Sequence, residues 1–238
     1  INAEYGEMQY PPISEICNYT MLPRKVFLAM RIANVIAHMT VVVLGLYTRT
    51  KKFFMQLTNL TNLLSFAFSI SVLTMTLMFK EPPTKRSRRA FVAQQLAQTS
   101  LPMHVVATTV FWLFIWKTAN KTHGWPDYIY LTFAHGVTLV LTLVDSIFMM
   151  VQFSRKSLVF VMSYLGGYLV VVFVVFRLTG FAIYHFADYK NPANWLALLG
   201  CTVMTVASNE LVMLMVKLGR KLVRWELKQE KREKSKSE

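Results

Sequence analysis

The stretch "LVFVMSYLGGYLVVVFVVF" (158–176) runs for nineteen residues without a charged side chain. A helix needs about 20 mostly apolar residues to cross the hydrocarbon core of a bilayer. Branched and aromatic side chains fill the run without the apolar–polar alternation that marks the strands of a membrane barrel. It therefore predicts a transmembrane helix.

The composition of the whole chain agrees with this interpretation. Of the 238 residues, 54% are hydrophobic and only 16% are charged, and the mean hydropathy is +0.39. A soluble domain is usually about 25% charged, so an ordinary soluble domain is excluded. Cys17 and Cys201 lie far apart and form neither a metal-ligand spacing nor a disulfide framework. We expect no metal and no other cofactor.

Five further segments match the first in length and character, and each is bounded by charges or helix breakers. The six predicted spans are 25–47, 54–79, 92–116, 128–151, 158–184 and 195–219. The predicted fold is therefore an all-α polytopic membrane protein with one six-helix domain over 25–219. A polar N-terminal segment (1–24) precedes it, and a basic tail (220–238) extends the last helix.

The distribution of Lys and Arg predicts the orientation. Eighteen fall on the side that holds both termini and six on the other, so both termini should face the cytosol or the mitochondrial matrix. Endomembrane and mitochondrial inner membrane stay open alternatives. Acidic residues interleave with basic ones in the tail, which makes membrane lipids, and not nucleic acid, the expected partner. Because the first residue is Ile1, we expect either a processed or an incomplete chain.

Ionisable side chains inside the predicted spans are the candidates for function, because such groups are costly in lipid and usually face the bundle interior. Arg31 is close enough to its helix end that we expect it to reach the interface. For His38 and His104 we expect packing roles. His135 and Asp145 lie in the fourth span, within "HGVTLVLTLVD" (135–145).

Helical geometry separates His135 from Asp145. At 100° per residue, His135, Thr138, Thr142 and Ser146 share one narrow face, whereas Asp145 lies about 80° away. It is also about 15 Å further along the axis, which excludes a triad in which Asp145 orients the imidazole. The face is either a functional seam or Ser/Thr packing between helices.

Thr58 in the second span is predicted to lie at a depth similar to that of His135. Thr58 and Asn62 share a helix face, and in the predicted topology the second and fourth spans run in the same direction. A hydroxyl beside an imidazole is the minimal nucleophile–base arrangement.

Four stretches resemble the androgen-induced protein and androgen-dependent TFPI-regulating protein family of six-span membrane proteins. "QLTNLTNLL" (56–64) resembles the family's Leu-Thr helix start, and "SLPMHVVATTVFW" (100–112) its Phe-Pro segment ending in Phe-Trp. "FAHGVTLVLTLVD" (133–145) resembles its histidine helix, and "RLTGFAIYHF" (177–186) its Thr-Gly stretch. The four stretches are distributed over most of the predicted bundle.

The resemblance implies a threonine hydrolase that cleaves fatty acid esters of hydroxy fatty acids, with an acyl ester as the substrate. The nucleophile would be Thr58 and the base His135. Asn62 and Arg177 are positional candidates for stabilising the oxyanion or binding the substrate.

Departures from the family pattern leave two alternatives open. The fourth span reads "LTFAH" with one histidine, and Ala182 and His185 replace the Trp and Pro of the Thr-Gly stretch. A register that aligns the "HG" pair puts Thr138 in the catalytic position and makes the site inactive; the spacing to Asp145 favours His135. An inactive chain would fit an accessory subunit of a larger membrane complex, with other protein subunits as partners.

Overall fold

The computed structural model describes residues 11–17, 22–49, 53–84, 87–115, 125–149, 153–181 and 192–237, and all the regular secondary structure in these ranges is helical. The α-helices are α1 Ile13–Ile16, α2 Arg24–Arg49, α3 Leu57–Met78, α4 Arg88–Val110, α5 Trp125–Thr132, α6 Thr138–Phe148, α7 Ser157–Thr179 and α8 Pro192–Ser237. A 3₁₀ turn (Phe53–Met55) precedes α3. One π-helical segment (Phe111–Ile115) extends α4, and a second (Phe133–Val137) joins α5 to α6.

Five helices in the described ranges are long and apolar enough to cross a membrane. They are Arg24–Thr48, Leu57–Met78, Asp127–Phe148, Ser157–Thr179 and Leu198–Arg224. The all-α prediction is confirmed, and these helices indicate an integral membrane protein. The count of six spans and the side on which the termini lie stay predictions, because the predicted span 92–116 falls mainly on α4, which is not one of the five.

The polarity of α4 has a structural explanation. Eleven of its 23 residues are buried, including Gln98, Ser100 and His104. The helix packs against α3, α6, α7 and α8, so its neighbours, and not lipid, cover much of its surface. Polar residues in membrane proteins collect on surfaces that face the bundle interior. In contrast, α7 exposes large apolar side chains such as Val159 and Val170.

Small residues allow α3 and α4 to approach closely. Ala90, Ala93 and Ala97 of α4 are buried against the large side chains of Phe68 and Met75 on α3. Small side chains let helix backbones come near each other, which strengthens packing where lipid supplies no hydrophobic driving force. The result is an apolar cluster at the end of the bundle where α3 ends and α4 begins.

Arg31 does not reach the membrane interface, contrary to the sequence-based expectation. It is fully buried, and its Nε donates to Asp145 Oδ1 at 3.1 Å, so the two opposite charges form an ion pair between α2 and α6. The rise per residue placed Arg31 near its helix end, but α1 covers that end. A buried charge needs a partner of opposite sign, which Asp145 supplies.

Arg31 also holds the N-terminal segment against the bundle. Its guanidinium donates to the Ile16 carbonyl at 2.7 Å, to Cys17 Sγ at 3.5 Å and to the Thr76 hydroxyl. Ile13, Ile16 and Cys17 belong to the same apolar cluster as α3 and α4. The described part of the polar N-terminal segment therefore packs against α2, α3 and α4.

The end of α6 is attached to α8 by two contacts. Arg220 donates to the carbonyls of Ser146 at 3.0 Å and Ile147 at 3.2 Å, which are among the last carbonyls of α6. Basic side chains commonly satisfy such unpaired carbonyls at a helix end. The neighbouring Gly219 packs directly on Ile147, because a Cβ at this position would meet its side chain at 2.7 Å. The α6–α8 crossing therefore depends on a glycine.

Breaking the Arg31–Asp145 pair should destabilise the fold strongly. Asp145→Asn leaves a buried guanidinium without its counter-charge, and we expect a loss of about 3–5 kcal/mol in the free energy of unfolding. The double variant Arg31→Met/Asp145→Leu should lose much less than the sum of the single changes. Unfolding in mixed detergent micelles measures these values. Glu210→Gln, in the exposed pair with Arg155 (3.1 Å), is the control and should cost under about 1 kcal/mol. Equal losses for Asp145→Asn and Glu210→Gln would contradict this account.

Adding one methyl group at Gly219 should destabilise the α6–α8 crossing. Gly219→Ala forces a Cβ into the Ile147 side chain, and overpacking of this kind typically costs about 1–3 kcal/mol. Gly200→Ala on the same helix is the matched control, because a Cβ there meets nothing within 4 Å. Thermal unfolding in detergent compares the two variants. A Gly219→Ala protein as stable as Gly200→Ala would show that the close contact is absent.

Candidate functional site

His135 lies in a π-helical turn between α5 and α6. The segment Phe133–Val137 adds a residue to the helical turn, and the His135 side chain is only 5% exposed. Single π turns inside α-helices are rare and occur frequently at functional sites. The bulge changes the angle at which the following residues meet the neighbouring helices.

The π segment Phe111–Ile115 packs directly on the π segment Phe133–Val137, which carries His135. The Phe111 ring stacks on the His135 imidazole with centroids 3.8 Å apart and an interplanar angle of 3°. The next residue, Trp112, donates its indole N–H to the His135 carbonyl at 3.1 Å. Together, the two aromatic residues fix both the plane of the imidazole and the backbone that carries it.

The start of α3 is fastened to the helix that carries His135. Asn62 Nδ2 donates to the Thr58 carbonyl at 2.9 Å and to the Ala134 carbonyl at 3.3 Å. One turn away, Asn59 Oδ1 accepts a hydrogen bond from the Tyr130 hydroxyl. These bonds bring the helical turn of Thr58 beside that of Ala134.

Thr58 itself is half-buried in the first turn of α3. In the part of the chain that the structure describes, no hydrogen bond joins its hydroxyl to His135. Catalytic hydrogen bonds are often long without substrate and tighten only in the complex. The pairing of Thr58 as nucleophile with His135 as base therefore stays a prediction.

The other predicted site residues lie in three different environments. Thr138 is buried, and its hydroxyl donates to the Phe133 carbonyl at 2.8 Å, across the π turn. Arg177 is exposed in the last turn of α7. Asp145 pairs with Arg31, consistent with the geometric argument that it cannot orient His135. Ala182 and His185 lie outside the described residues.

Sequence reasoning did not assign the aromatic contacts to His135. Phe111 and Trp112 occur in the quoted "SLPMHVVATTVFW" stretch, but no pattern in the sequence predicts the two π turns that bring them to His135. The Tyr130–Asn59 bond was also missed, although an intramembrane Asn requires a hydrogen-bond partner.

Two further buried histidines lie near the site. The rings of His38 on α2 and His104 on α4 are parallel, with centroids 6.1 Å apart. Within the described ranges, no three His, Cys, Asp or Glu side chains form a group that could hold a metal ion.

The fold and these contacts define a helical membrane protein in which Asn62 and His135 are buried and Thr58 is half-buried. No protein-family model, curated protein or solved structure matches the chain. The resemblance to the androgen-induced protein family therefore rests on the four sequence stretches alone.

Removing the Asn62 amide should loosen the site. Asn62→Leu loses the hydrogen bond to the Ala134 carbonyl, and we expect the free energy of unfolding to fall by about 1–3 kcal/mol. Amide exchange measured by mass spectrometry should rise in 133–137. The control is Thr61→Val: its buried hydroxyl accepts or donates no hydrogen bond among the described residues, so the change should be neutral. Unchanged exchange in Asn62→Leu would mean that Asn62 does not hold the two turns together.

Proposed function

We propose that this chain is an integral membrane hydrolase of acyl esters, with Thr58 as the nucleophile and His135 as the general base. The observation that supports it best is the Asn62 side chain, which bridges the Thr58 and Ala134 carbonyls. This amide holds the helical turn of Thr58, the proposed nucleophile, next to the turn that precedes His135, the proposed base, on a different helix. The family resemblance supports the same two residues independently.

The proposed chemistry follows from these positions. The His135 imidazole takes the Thr58 hydroxyl proton as the oxygen attacks the ester carbonyl, and it returns the proton to the departing alcohol. Water then attacks the acyl-threonine and releases the free acid. Stacking on Phe111 at 3.8 Å restricts the imidazole to one plane, so the ring needs little reorganisation during transfer. Asn62 is the candidate for polarising the ester carbonyl, for which its amide would release one of the two N–H bonds that it donates to the Thr58 and Ala134 carbonyls.

The position of the site supports a lipid substrate. His135 lies ten residues, or about 15 Å of helix, from the first residue of α5, and it is almost fully buried. An ester inside an acyl chain, as in a fatty acid ester of a hydroxy fatty acid, reaches such a depth more readily than a water-soluble ester. We propose membrane lipids as the source of substrate, and we leave open which membrane holds the protein.

One observation favours the alternative of a non-catalytic accessory subunit. Among the described residues, no hydrogen bond links Thr58 to His135. If Thr138 occupied the base position, its hydroxyl, which donates to the Phe133 carbonyl, could not accept the nucleophile's proton as an imidazole does.

A fluorophosphonate probe separates the two functions. The folded wild-type protein should become covalently labelled at Thr58, and Thr58→Ala and His135→Ala should abolish labelling. Thr58→Ser should keep it, because a hydroxyl remains. Thr61→Val, one turn away, is the control and should label like the wild type. A folded wild type that takes no label and copurifies stoichiometrically with other membrane proteins would support the accessory subunit instead.

A further inference from the structure

A second set of buried polar side chains lies about two helical turns from the Phe111–His135 stack. Going seven residues along α4 from Phe111, towards its start, leads to His104, and going seven residues along α6 from His135 leads to Thr142. Seven residues are about two turns or 10 Å of helix, so both residues lie at a similar depth. The packing agrees, since α4 packs against α6, and Leu101, Leu139 and Leu143 belong to one apolar cluster.

Helices α2 and α3 contribute to the same place. The His38 ring lies parallel to that of His104, and the Ser69 hydroxyl is 3.5 Å from His38 Nδ1. Asn34 is one turn away on α2. We call these residues the central polar cluster; its members are Asn34, His38, Ser69, His104 and Thr142.

The members of this cluster are almost completely buried, with no side chain above 1% exposure. The protein nevertheless leaves much of their hydrogen-bonding capacity unused. No protein partner within the described ranges meets either ring nitrogen of His104, Nε2 of His38, the Asn34 amide or the Thr142 hydroxyl. Helices α2, α4 and α6 therefore each carry buried donors or acceptors that no protein group within the described ranges meets.

Direct packing between helices does not explain this pattern. Ser and Thr that join membrane helices do so by hydrogen bonds across the interface, but the only such contact in the cluster is the long 3.5 Å approach of Ser69 to His38. The His38 and His104 rings stack with centroids 6.1 Å apart, but His38 Nε2 and both nitrogens of His104 meet no protein partner within the described ranges. An acyl chain supplies no hydrogen bonds, and a metal would need more ligands than the site provides.

We propose that the central polar cluster binds water and supplies it to the Thr58–His135 site. Water both donates and accepts, and a buried water typically makes about three hydrogen bonds to otherwise unsatisfied groups. Polar groups separated by more than a direct bond are commonly bridged in this way. The cluster offers such groups on three helices, and two of these, α4 and α6, continue directly into the π segments that carry Phe111 and His135.

The supply role rests on the proposed function. In its second half-reaction, the oxygen of water bonds to the acyl carbon, His135 takes one proton from that water, and the bond from the carbon to Thr58 Oγ breaks. His135 then returns the proton to Thr58, and the free acid departs. A water source on the side of His135 that faces His104 would serve this step without opening the site to bulk solvent.

Radiolytic labelling in H₂¹⁸O tests hydration independently of activity. A brief X-ray pulse converts bound water to hydroxyl radicals, which oxidise the nearest side chains. His38 and His104 should take up ¹⁸O although both are buried. Met75, which is also buried but lies in the apolar cluster, is the internal control. Methionine reacts with hydroxyl radicals more readily than histidine does, so Met75 should stay unlabelled only because no water lies beside it. No label on either histidine, or an equal label on Met75, would overturn the proposal.

Two variants test the use of this water. His104→Phe and the nearly isosteric Thr142→Val should each reduce ¹⁸O uptake at His38 several-fold. With a lipid ester, both should accumulate acyl-Thr58, detected by intact mass, because water attack slows while acylation continues. Labelling at His38 that is unchanged in both variants overturns the cluster, and unchanged deacylation overturns the supply role. If the wild type is labelled at the histidines but cleaves no ester, hydration stands and the proposed hydrolase function fails.

Discussion

The buried ion pair of Arg31 and Asp145 is the interaction on which the arrangement of the bundle depends. Lipid cannot solvate a charge, so each charged group must find its partner inside the protein. The pair fixes α2 against α6 at 3.1 Å. The remaining guanidinium donors reach the Val72 carbonyl and Thr76 hydroxyl of α3 and the carbonyl of Ile16, the last residue of α1. One side chain therefore sets the relative positions of four helices. The opposite end of the same bundle carries the candidate site.

The apolar runs were sufficient to predict the helical class, because length and hydropathy alone decide whether a segment suits lipid. The predicted spans overlap α2, α3 and α7 closely, and the last predicted span covers the first part of the longer α8. The apolar runs could not predict which side chains pair between helices or which helix is shielded from lipid, because tertiary contacts determine both. The partner of Arg31 lies 114 residues away, and helix position alone suggested that this side chain reaches the interface. The polarity of α4 is likewise a consequence of its neighbours, and hydropathy cannot reveal which helix is shielded from lipid.

Candidate residues for the site could be named from the sequence, but their geometry could not. Helix periodicity placed Thr58 and Asn62 on one face and separated His135 from Asp145, and the structure gives both Asn62 and Asp145 partners that agree with that separation. The π turns, however, arise from packing between α4 and the α5–α6 helix, and a regular 100° periodicity cannot foresee an inserted residue. The stacking of Phe111 on His135 follows from those turns. Local sequence therefore identified candidates, and long-range packing set their orientation.

The central claim is that Thr58 and His135 act together although they lie on different helices. An experimental structure of the protein after reaction with a long-chain alkyl phosphonate tests it most directly, because the phosphorus marks the nucleophile and resembles the tetrahedral intermediate. We expect a covalent bond from phosphorus to Thr58 Oγ, with a ring nitrogen of His135 within about 3.2 Å of that oxygen. Phosphorus attached to another residue, or His135 turned away from a modified Thr58, would contradict the account.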